Sequence, residues 1–170
     1  MKLDEEFKNW KQLTEEIKPD LGINQDDLAY AIKSLTEILA DLNVFSIKVH
    51  NFHWNVTGPF FGSLHKLFDD IYGHSLEHID KVAERIRQLG GVSIGSMKEF
   101  LEYTHLYEDS GQLLEHNVMI RKLVYDLDFI SKEMRRTTID LIEDQGTINM
   151  LAGIIEIVDK DSWFLRTHLV

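Results

Sequence analysis

Residues 53–91 read HWNVTGPFFGSLHKLFDDIYGHSLEHIDKVAERIRQLGG, and this stretch carries the strongest signals for both fold and site. It contains two pairs of side chains that suit metal ions, His65 with Asp69 and Asp80 with Glu84. Apolar residues recur between them at helical spacing, which predicts one helix over residues 60–89. The members of each pair are four residues apart and therefore lie one turn apart on the same helix face.

The two pairs share a helix face but lie too far apart for one metal ion. Asp69 and Asp80 are 11 residues apart. At about 100° per residue, this separation returns to nearly the same direction, roughly 16 Å further along the helix axis. One more candidate ligand, His53, precedes the helix and stands beside Trp54. If these five residues build one site, two antiparallel copies of the helix must face each other across a two-fold axis.

The remaining sequence has the pattern of an all-α protein with four long helices. Its 170 residues suit a single domain, and its only two prolines, Pro19 and Pro59, leave long stretches without a helix breaker. Ser96 followed by Glu99 forms a capping box, which predicts a short helix over 96–104 in the second connection. Such a connection indicates a four-helix bundle with one crossover. The other predicted elements are an amphipathic segment over 3–17, long helices over 27–56 and 111–143, and a last helix capped by Thr147.

Composition limits the classes of function. Cysteine is absent, so the chain forms no disulfide and must hold any metal with nitrogen and oxygen ligands. No apolar run approaches the about 20 residues that span a membrane, and the start lacks a signal-peptide core, so we expect a cytoplasmic protein. The net charge is −11, and the first 20 residues, which we place outside the bundle, have no basic excess. We therefore do not expect DNA binding, which normally uses a basic patch.

The motifs between residues 35 and 91 resemble the Dps family, the DNA-protecting miniferritins of starved bacterial cells. The matching motifs are His53–Trp54–Asn55–Val56–Thr57–Gly58, Leu64–His65, Phe68–Asp69, Ala83–Glu84–Arg85 and Leu89–Gly90–Gly91. Their order and spacing are specific, and the likeness continues more weakly to Trp163. The resemblance implies a ferritin-like bundle assembled as a hollow dodecamer. Members oxidise Fe(II), usually with hydrogen peroxide, and store the ferric iron inside.

The resemblance also implies the ligands of the iron-oxidising site. His53, His65 and Asp69 match the family ligands from one subunit, while Asp80 and Glu84 match those from its mate. This agrees with the two-fold arrangement that the helix spacing requires. Iron(II) accepts imidazole and carboxylate ligands, and carboxylates stabilise the ferric product by their charge.

The chain departs from the family pattern in two places. The family's DNA binding usually depends on a lysine-rich tail, which this chain lacks. The family often has an aspartate two residues after the threonine that opens the last helix, where this chain has Asn149 after Thr147. Aspartates near that point are associated with a pore that admits iron at a three-fold axis, and Asp144 remains a candidate for that role.

Alternative functions stay open on the sequence alone. A nucleoid-compacting protein with secondary iron chemistry would bind DNA, which the acidic composition opposes. A larger ferritin or a diiron enzyme would hold iron inside each bundle with two Glu-x-x-His pairs, and here only Glu102 with His105 has that spacing. A shell with a decayed metal site would not need all five ligands.

Single residues also have ordinary interpretations. Asp80 and Glu84 would then pair with neighbouring basic side chains on a solvated helix face. His74 and His78 are four residues apart, which can suit zinc or copper, but we expect surface or interfacial roles for both. The basic side chains closest in sequence to Asp80 and Glu84 are Lys81, Arg85 and Arg87.

Overall fold

The computed structural model describes residues 19–141 and 143–169, and every regular element in these ranges is a helix. The prediction of an all-α bundle with a short helix in the second connection is confirmed. Within these ranges, none of the helices combines the length and apolar character needed to cross a membrane. The segment predicted over 3–17 lies outside the described residues. The helices are α1 (Gln25–Asn55), α2 (Phe61–Gln88), α3 (Met97–Tyr103), α4 (His116–Asp140) and α5 (Gln145–Thr167).

The four long helices pack around one hydrophobic core. α1 packs against α2, α4 packs against α5, and α1 also contacts α4, so two helical hairpins form one bundle. Each long helix buries the apolar stripe that its periodicity predicts. Most of the largest fully buried side chains come from α1 and α2, including Phe45, Phe52, Leu64, Phe68 and Ile71.

Local sequence signals set several of the helix ends. Asn24 caps α1, because its side chain accepts a hydrogen bond from the backbone N–H of Asp27 at 2.9 Å. α2 stops before Gly90, whose φ of +87° lies in the left-handed region that glycine adopts at low cost. α3 has the predicted capping box, in which Ser96 and Glu99 each bond the backbone of the other.

α4 is shorter at both ends than the predicted helix over 111–143. It begins at His116 because the preceding segment is held along α1, where the side-chain amide of Asn51 donates to the carbonyl of Asp109 at 2.9 Å. It ends at Asp140, and the next residue, Leu141, turns into the core with 1% of its surface exposed. The error in the prediction thus comes from tertiary contacts, which periodicity does not report.

The last helix is capped by a different residue from the predicted Thr147. Its N-cap is Asp144, whose carboxylate accepts from the backbone N–H of Thr147 at 3.0 Å and also from the threonine hydroxyl. Thr147 therefore lies inside the first turn as a donor. A carboxylate suits this position because it also interacts favourably with the positive end of the helix dipole.

A buried aspartate on α1 fastens the crossover connection. Asp41 is 1% exposed, and its carboxylate accepts hydrogen bonds from the Thr104 hydroxyl at 2.8 Å and the His105 backbone N–H at 2.6 Å. The Nδ1 atom of His105 lies 3.2 Å from the same carboxylate. The end of α3 is therefore held against the middle of α1.

A second buried charge cluster joins α1, the crossover and α4. Lys48 is 4% exposed, and its Nζ atom lies 2.6 Å from Asp126 and 3.6 Å from Asp109. Lys122 adds a contact of 2.7 Å to Asp109. Burial raises the pKa of Asp126, while the ammonium group of Lys48 opposes that rise. The cluster ties the end of the crossover into the bundle.

We predict that Asp41→Ala lowers the free energy of unfolding by about 2–4 kcal/mol, because buried donors lose a charged acceptor. Asp41→Asn keeps an oxygen acceptor and should lose less. Urea unfolding of the metal-free proteins at equal concentration, followed by circular dichroism, measures both effects. An alanine variant as stable as the wild type would contradict this anchoring role.

Candidate metal centre

The structure places the five predicted ligands on two adjacent helices. His53 lies in the last turn of α1, and the other four, His65, Asp69, Asp80 and Glu84, lie along α2. The rings of His53 and His65 stack with their centroids 3.8 Å apart and an interplanar angle of 23°. These two histidines, 12 residues apart in sequence, are therefore neighbours in one chain.

His53 and His65 bond each other's backbone through the same ring nitrogen. The Nδ1 atom of each lies 2.8 Å from the backbone carbonyl oxygen of the other. Because a carbonyl oxygen only accepts hydrogen bonds, both Nδ1 atoms must carry the proton. In the neutral rings both Nε2 atoms then hold a free lone pair, and neither has a hydrogen-bond partner among the described residues. Metal-ligating histidines in proteins are commonly oriented in this way.

The turn between the helices makes this exchange of hydrogen bonds feasible. The carbonyl of His53 belongs to the last turn of α1, where backbone carbonyls lack partners within the helix. The side chain of His65 supplies the missing donor. Gly58, with φ of +98°, lets the chain reverse within five residues before α2 begins at Phe61.

The three carboxylates are free of the local partners that an ordinary surface role would give them. Asp69, Asp80 and Glu84 are exposed, and none has a hydrogen bond or ion pair among residues 19–141 and 143–169. The basic neighbours are engaged elsewhere: Lys81 approaches Glu77 at 4.0 Å, Arg85 bonds Asp144 at 2.7 Å, and Arg87 donates to the Gly91 carbonyl at 2.5 Å.

One subunit does not bring these ligands together. In the part of the chain that the structure describes, no three His, Asp or Glu side chains are grouped closely enough to hold a metal ion. Asp69 and Asp80 are separated by three turns of α2. The joining of both pairs across a two-fold axis therefore stays a prediction.

An aromatic cluster that the sequence analysis did not identify adjoins the two histidines. The ring of His50 stacks on Tyr72 with centroids 3.9 Å apart and lies 4.1 Å from the ring of Trp54. Burial lowers the pKa of His50, and the neighbouring His53 lowers it further. Trp54 itself is 65% exposed, which is unusual for so large an apolar side chain. The sequence signal that could have indicated this cluster is the spacing of His50 to His53 and Trp54, which is about one helical turn.

Comparison with known proteins identifies the family. The family model of the ferritin-like domain matches residues 32–170. DNA protection during starvation protein 2 of Bacillus anthracis is 36% identical over 141 residues, which cover 81% of this chain and 95% of that protein. The structure of DpsC from Streptomyces coelicolor superposes with a TM-score of 0.85 at 29% identity, over 88% of this chain and 89% of that one. The chain belongs to the Dps family.

Further relatives agree with this assignment. A low temperature-induced protein of Nostoc sp. is 35% identical over 153 residues, which cover 88% of this chain and 86% of that protein. The structure of Dps from Staphylococcus aureus is 32% identical and superposes with a TM-score of 0.79, over 86% of this chain and 97% of that one. Membership of this ferritin-like family supports a role in iron storage and protection.

Asp144, the candidate for the Dps pore, is engaged within its own subunit. It is 3% exposed, and its carboxylate bonds Arg85 and Thr147. Burial alone would raise the pKa of Asp144, but the hydrogen bonds from Thr147 and the Arg85 guanidinium together lower it. These bonds join the end of α2 to the start of α5. Asn149 is exposed in the first turns of α5.

Of the other two histidines considered above, His74 lies as the sequence predicts and His78 does not. His74 is partly exposed, as expected, and its Nδ1 atom lies 2.9 Å from the buried carboxylate of Asp161 on α5. His78, for which we expected a surface or interfacial role, is instead 2% exposed. Burial lowers the pKa of His78 to about 4, so the ring is neutral near pH 7. Its two ring nitrogens have no partner among the described residues.

We predict that both His53 and His65 hold the Nδ1-protonated tautomer in the metal-free protein at neutral pH. The reason is that each Nδ1 atom faces a carbonyl oxygen, which requires a proton on that nitrogen. Two-dimensional ¹H–¹⁵N spectra that detect the ring nitrogens distinguish the two tautomers. An Nδ1 atom without a proton in either ring would contradict the arrangement.

Proposed function

We propose that this Dps protein oxidises Fe(II) with hydrogen peroxide at sites shared by two subunits. The ferric product would be stored inside a hollow dodecamer in the cytoplasm, which protects the cell against oxidative damage. Iron is the substrate and the stored cargo of this reaction. His53, His65 and Asp69 of one subunit would hold it together with Asp80 and Glu84 of the next.

The observation that carries the proposal is the reciprocal bonding of His53 and His65. Each Nδ1 atom is committed to a carbonyl 2.8 Å away, which leaves each Nε2 lone pair for a metal ion. A histidine pair that only stabilised the fold would not need both Nε2 lone pairs to be left without a hydrogen-bond donor. A hydrogen bond from the ring nitrogen that does not bind metal orients the ring and increases its basicity as a ligand.

The free carboxylates support a second subunit as the source of the remaining ligands. Asp80 and Glu84 are exposed and unpaired in the described part of one chain, and they share the helix face of His65 and Asp69. Two imidazoles and three carboxylates can bind iron(II) and still leave positions for an oxidant. Their negative charge stabilises Fe(III) more than Fe(II), which favours oxidation.

Exposed aromatic side chains beside the two histidines also support a covering partner. Trp54 is 65% exposed, Phe60 51% and Phe61 47%, and the ring of Phe61 lies 5.0 Å from that of His65. Exposed apolar surface of this kind marks contact sites between proteins. A partner subunit placed here would exclude bulk water from the site.

Peroxide as oxidant gives the site a protective chemistry. Two Fe(II) ions, one hydrogen peroxide and two protons yield two Fe(III) ions and two waters, so both oxygen atoms end as water. A single electron passed to peroxide would instead release hydroxide and a hydroxyl radical. Two ions held by one set of ligands favour the first reaction, as in other two-metal sites.

The charge of the chain fits cations better than nucleic acid. At −11 per subunit, an assembly attracts Fe(II) and repels the phosphates of DNA. We therefore propose iron oxidation and storage without direct DNA binding.

We predict rapid anaerobic oxidation of Fe(II) when peroxide is added, with two irons consumed per peroxide. His53→Ala should lower the initial rate of Fe(II) oxidation at least about 10-fold, because the site loses one of its proposed iron ligands. His168→Ala is a matched control, since His168 follows the end of α5 and its ring bonds only the Phe164 carbonyl among the described residues. Absorbance of Fe(III) follows the reaction. Oxidation in the wild type no faster than in buffer would contradict the proposal.

We also predict that two inactive variants restore each other. Asp69→Ala and Asp80→Ala each damage every site in a shell made of that variant alone. In a mixed dimer one site carries both lesions and the other carries none. Random co-assembly should therefore regain about a quarter of the wild-type rate. Mixed dimers that are confirmed by mass spectrometry but remain inactive would remove the shared site.

A further inference from the structure

Two residues in the middle of α2 have no explanation within a single chain. Gly73 lies in the interior of a helix, where glycine costs about 0.5–1 kcal/mol relative to alanine. Its φ is an ordinary helical one, and a Cβ atom built on it would meet no atom of the described residues within 4 Å. Leu76, three residues later, is 45% exposed. Neither residue contributes to the core of its own subunit.

The proposed site fixes how two copies of α2 lie against each other. When a two-fold axis relates two antiparallel copies of a helix, each residue faces a partner residue that lies equally far along the sequence on the other side of a midpoint. Every facing pair therefore has the same midpoint in residue number. His65 must meet Glu84 of the partner subunit, and Asp69 must meet its Asp80. Both pairs have the same midpoint, between His74 and Ser75. At 1.5 Å per residue, the two metal sites of a dimer then lie about 22 Å apart.

This register places Gly73 and Leu76 at the centre of the contact. At about 100° per residue, both lie within roughly 30° of the mean direction of the four α2 ligands. Gly73 and Leu76 share the midpoint of the ligand pairs, so Gly73 of one subunit stands opposite Leu76 of the other. The residues between them turn away, since Ser75 is buried and His74 bonds Asp161 on α5.

We infer that Gly73 and Leu76 set the distance between the two α2 helices and thereby determine whether the ligands of both subunits can reach one iron. The missing side chain of Gly73 makes room for Leu76 of the partner subunit, twice per dimer. The inference rests on the proposed function, because the register comes from the shared site. The occupant of this face is a second copy of the chain, since only a copy supplies Asp80 and Glu84 at the mirrored positions.

An apolar contact between Gly73 and Leu76 at the centre of the dimer would also offset the repulsion between carboxylates of the two subunits. Without a cation, Asp69 of one subunit would face Asp80 and Glu84 of the other, so each site would push the subunits apart. Two buried leucines in the middle, remote from both sites, provide attraction that does not depend on metal. The dimer would then be formed before iron arrives.

The test is an exchange of the two side chains. Gly73→Leu should place two leucines opposite each other, separate the helices and lower the rate of Fe(II) oxidation at least about 10-fold, as displaced ligands do. The double variant Gly73→Leu with Leu76→Gly restores a leucine opposite a glycine in this register alone, and it should recover most of the rate. Gly153→Leu is the matched control, because Gly153 is also a helical glycine, and in the described part of the chain no atom lies within 4 Å of its Cβ position.

A second measurement does not depend on iron. The chain has no cysteine, so Gly73→Cys protein and Leu76→Cys protein each carry a single thiol. Under oxidation, a mixture of the two should form subunit cross-links faster than either protein alone, because a disulfide needs Cα atoms about 4.4–6.8 Å apart.

Different results would overturn the register and the shared site. Wild-type oxidation rates in Gly73→Leu, no recovery in the exchanged variant, or no excess cross-linking in the mixture would each overturn the register. Failure of the Asp69→Ala and Asp80→Ala mixture to regain activity would instead overturn the shared site. Circular dichroism of each variant confirms that the bundle is folded, which is expected because leucine favours helix more than glycine does.

Discussion

The two hydrogen bonds between His53 and His65 are the interaction on which the proposed site depends. They join the end of α1 to the start of α2, and each uses a ring nitrogen that is not needed for metal. One pair of bonds therefore orders the turn and selects the tautomer that leaves each Nε2 atom free to accept a metal ion. Phe52 of α1 and Phe68 of α2 are fully buried in the core that the helices share.

α2 serves two purposes because its faces are distinct. One face buries Leu64, Phe68 and Val82 in the core of the subunit. The opposite face carries carboxylates that have no local partners among the described residues and, between them, an exposed leucine and a glycine. Side chains 11 residues apart on a helix point in nearly the same direction. One straight helix can therefore supply part of the ligands of two separate sites. This arrangement explains how a small bundle without cysteine would gain a site that the described part of one chain does not contain.

Periodicity and local motifs were sufficient to predict the helices, the crossover and the capping box at Ser96. They failed where a side chain from a distant element decides the outcome. Asn51 holds the segment before α4, and the side chain of Asp144 caps α5 by accepting from the backbone N–H of Thr147. The candidate ligands were readable from spacing, but the His53–His65 exchange and the burial of His78 depend on the packing of helices. Such contacts leave no periodic signal in the sequence.

The most direct test of the central claim is anomalous diffraction from crystals grown without oxygen and soaked in Fe(II). We expect iron peaks at the two-fold interface, in direct contact with imidazole nitrogens of one subunit and carboxylates of its mate. The same peaks should disappear when data are collected below the iron absorption edge. Iron bound inside a single helical bundle, or an empty interface with iron elsewhere, would contradict the shared site.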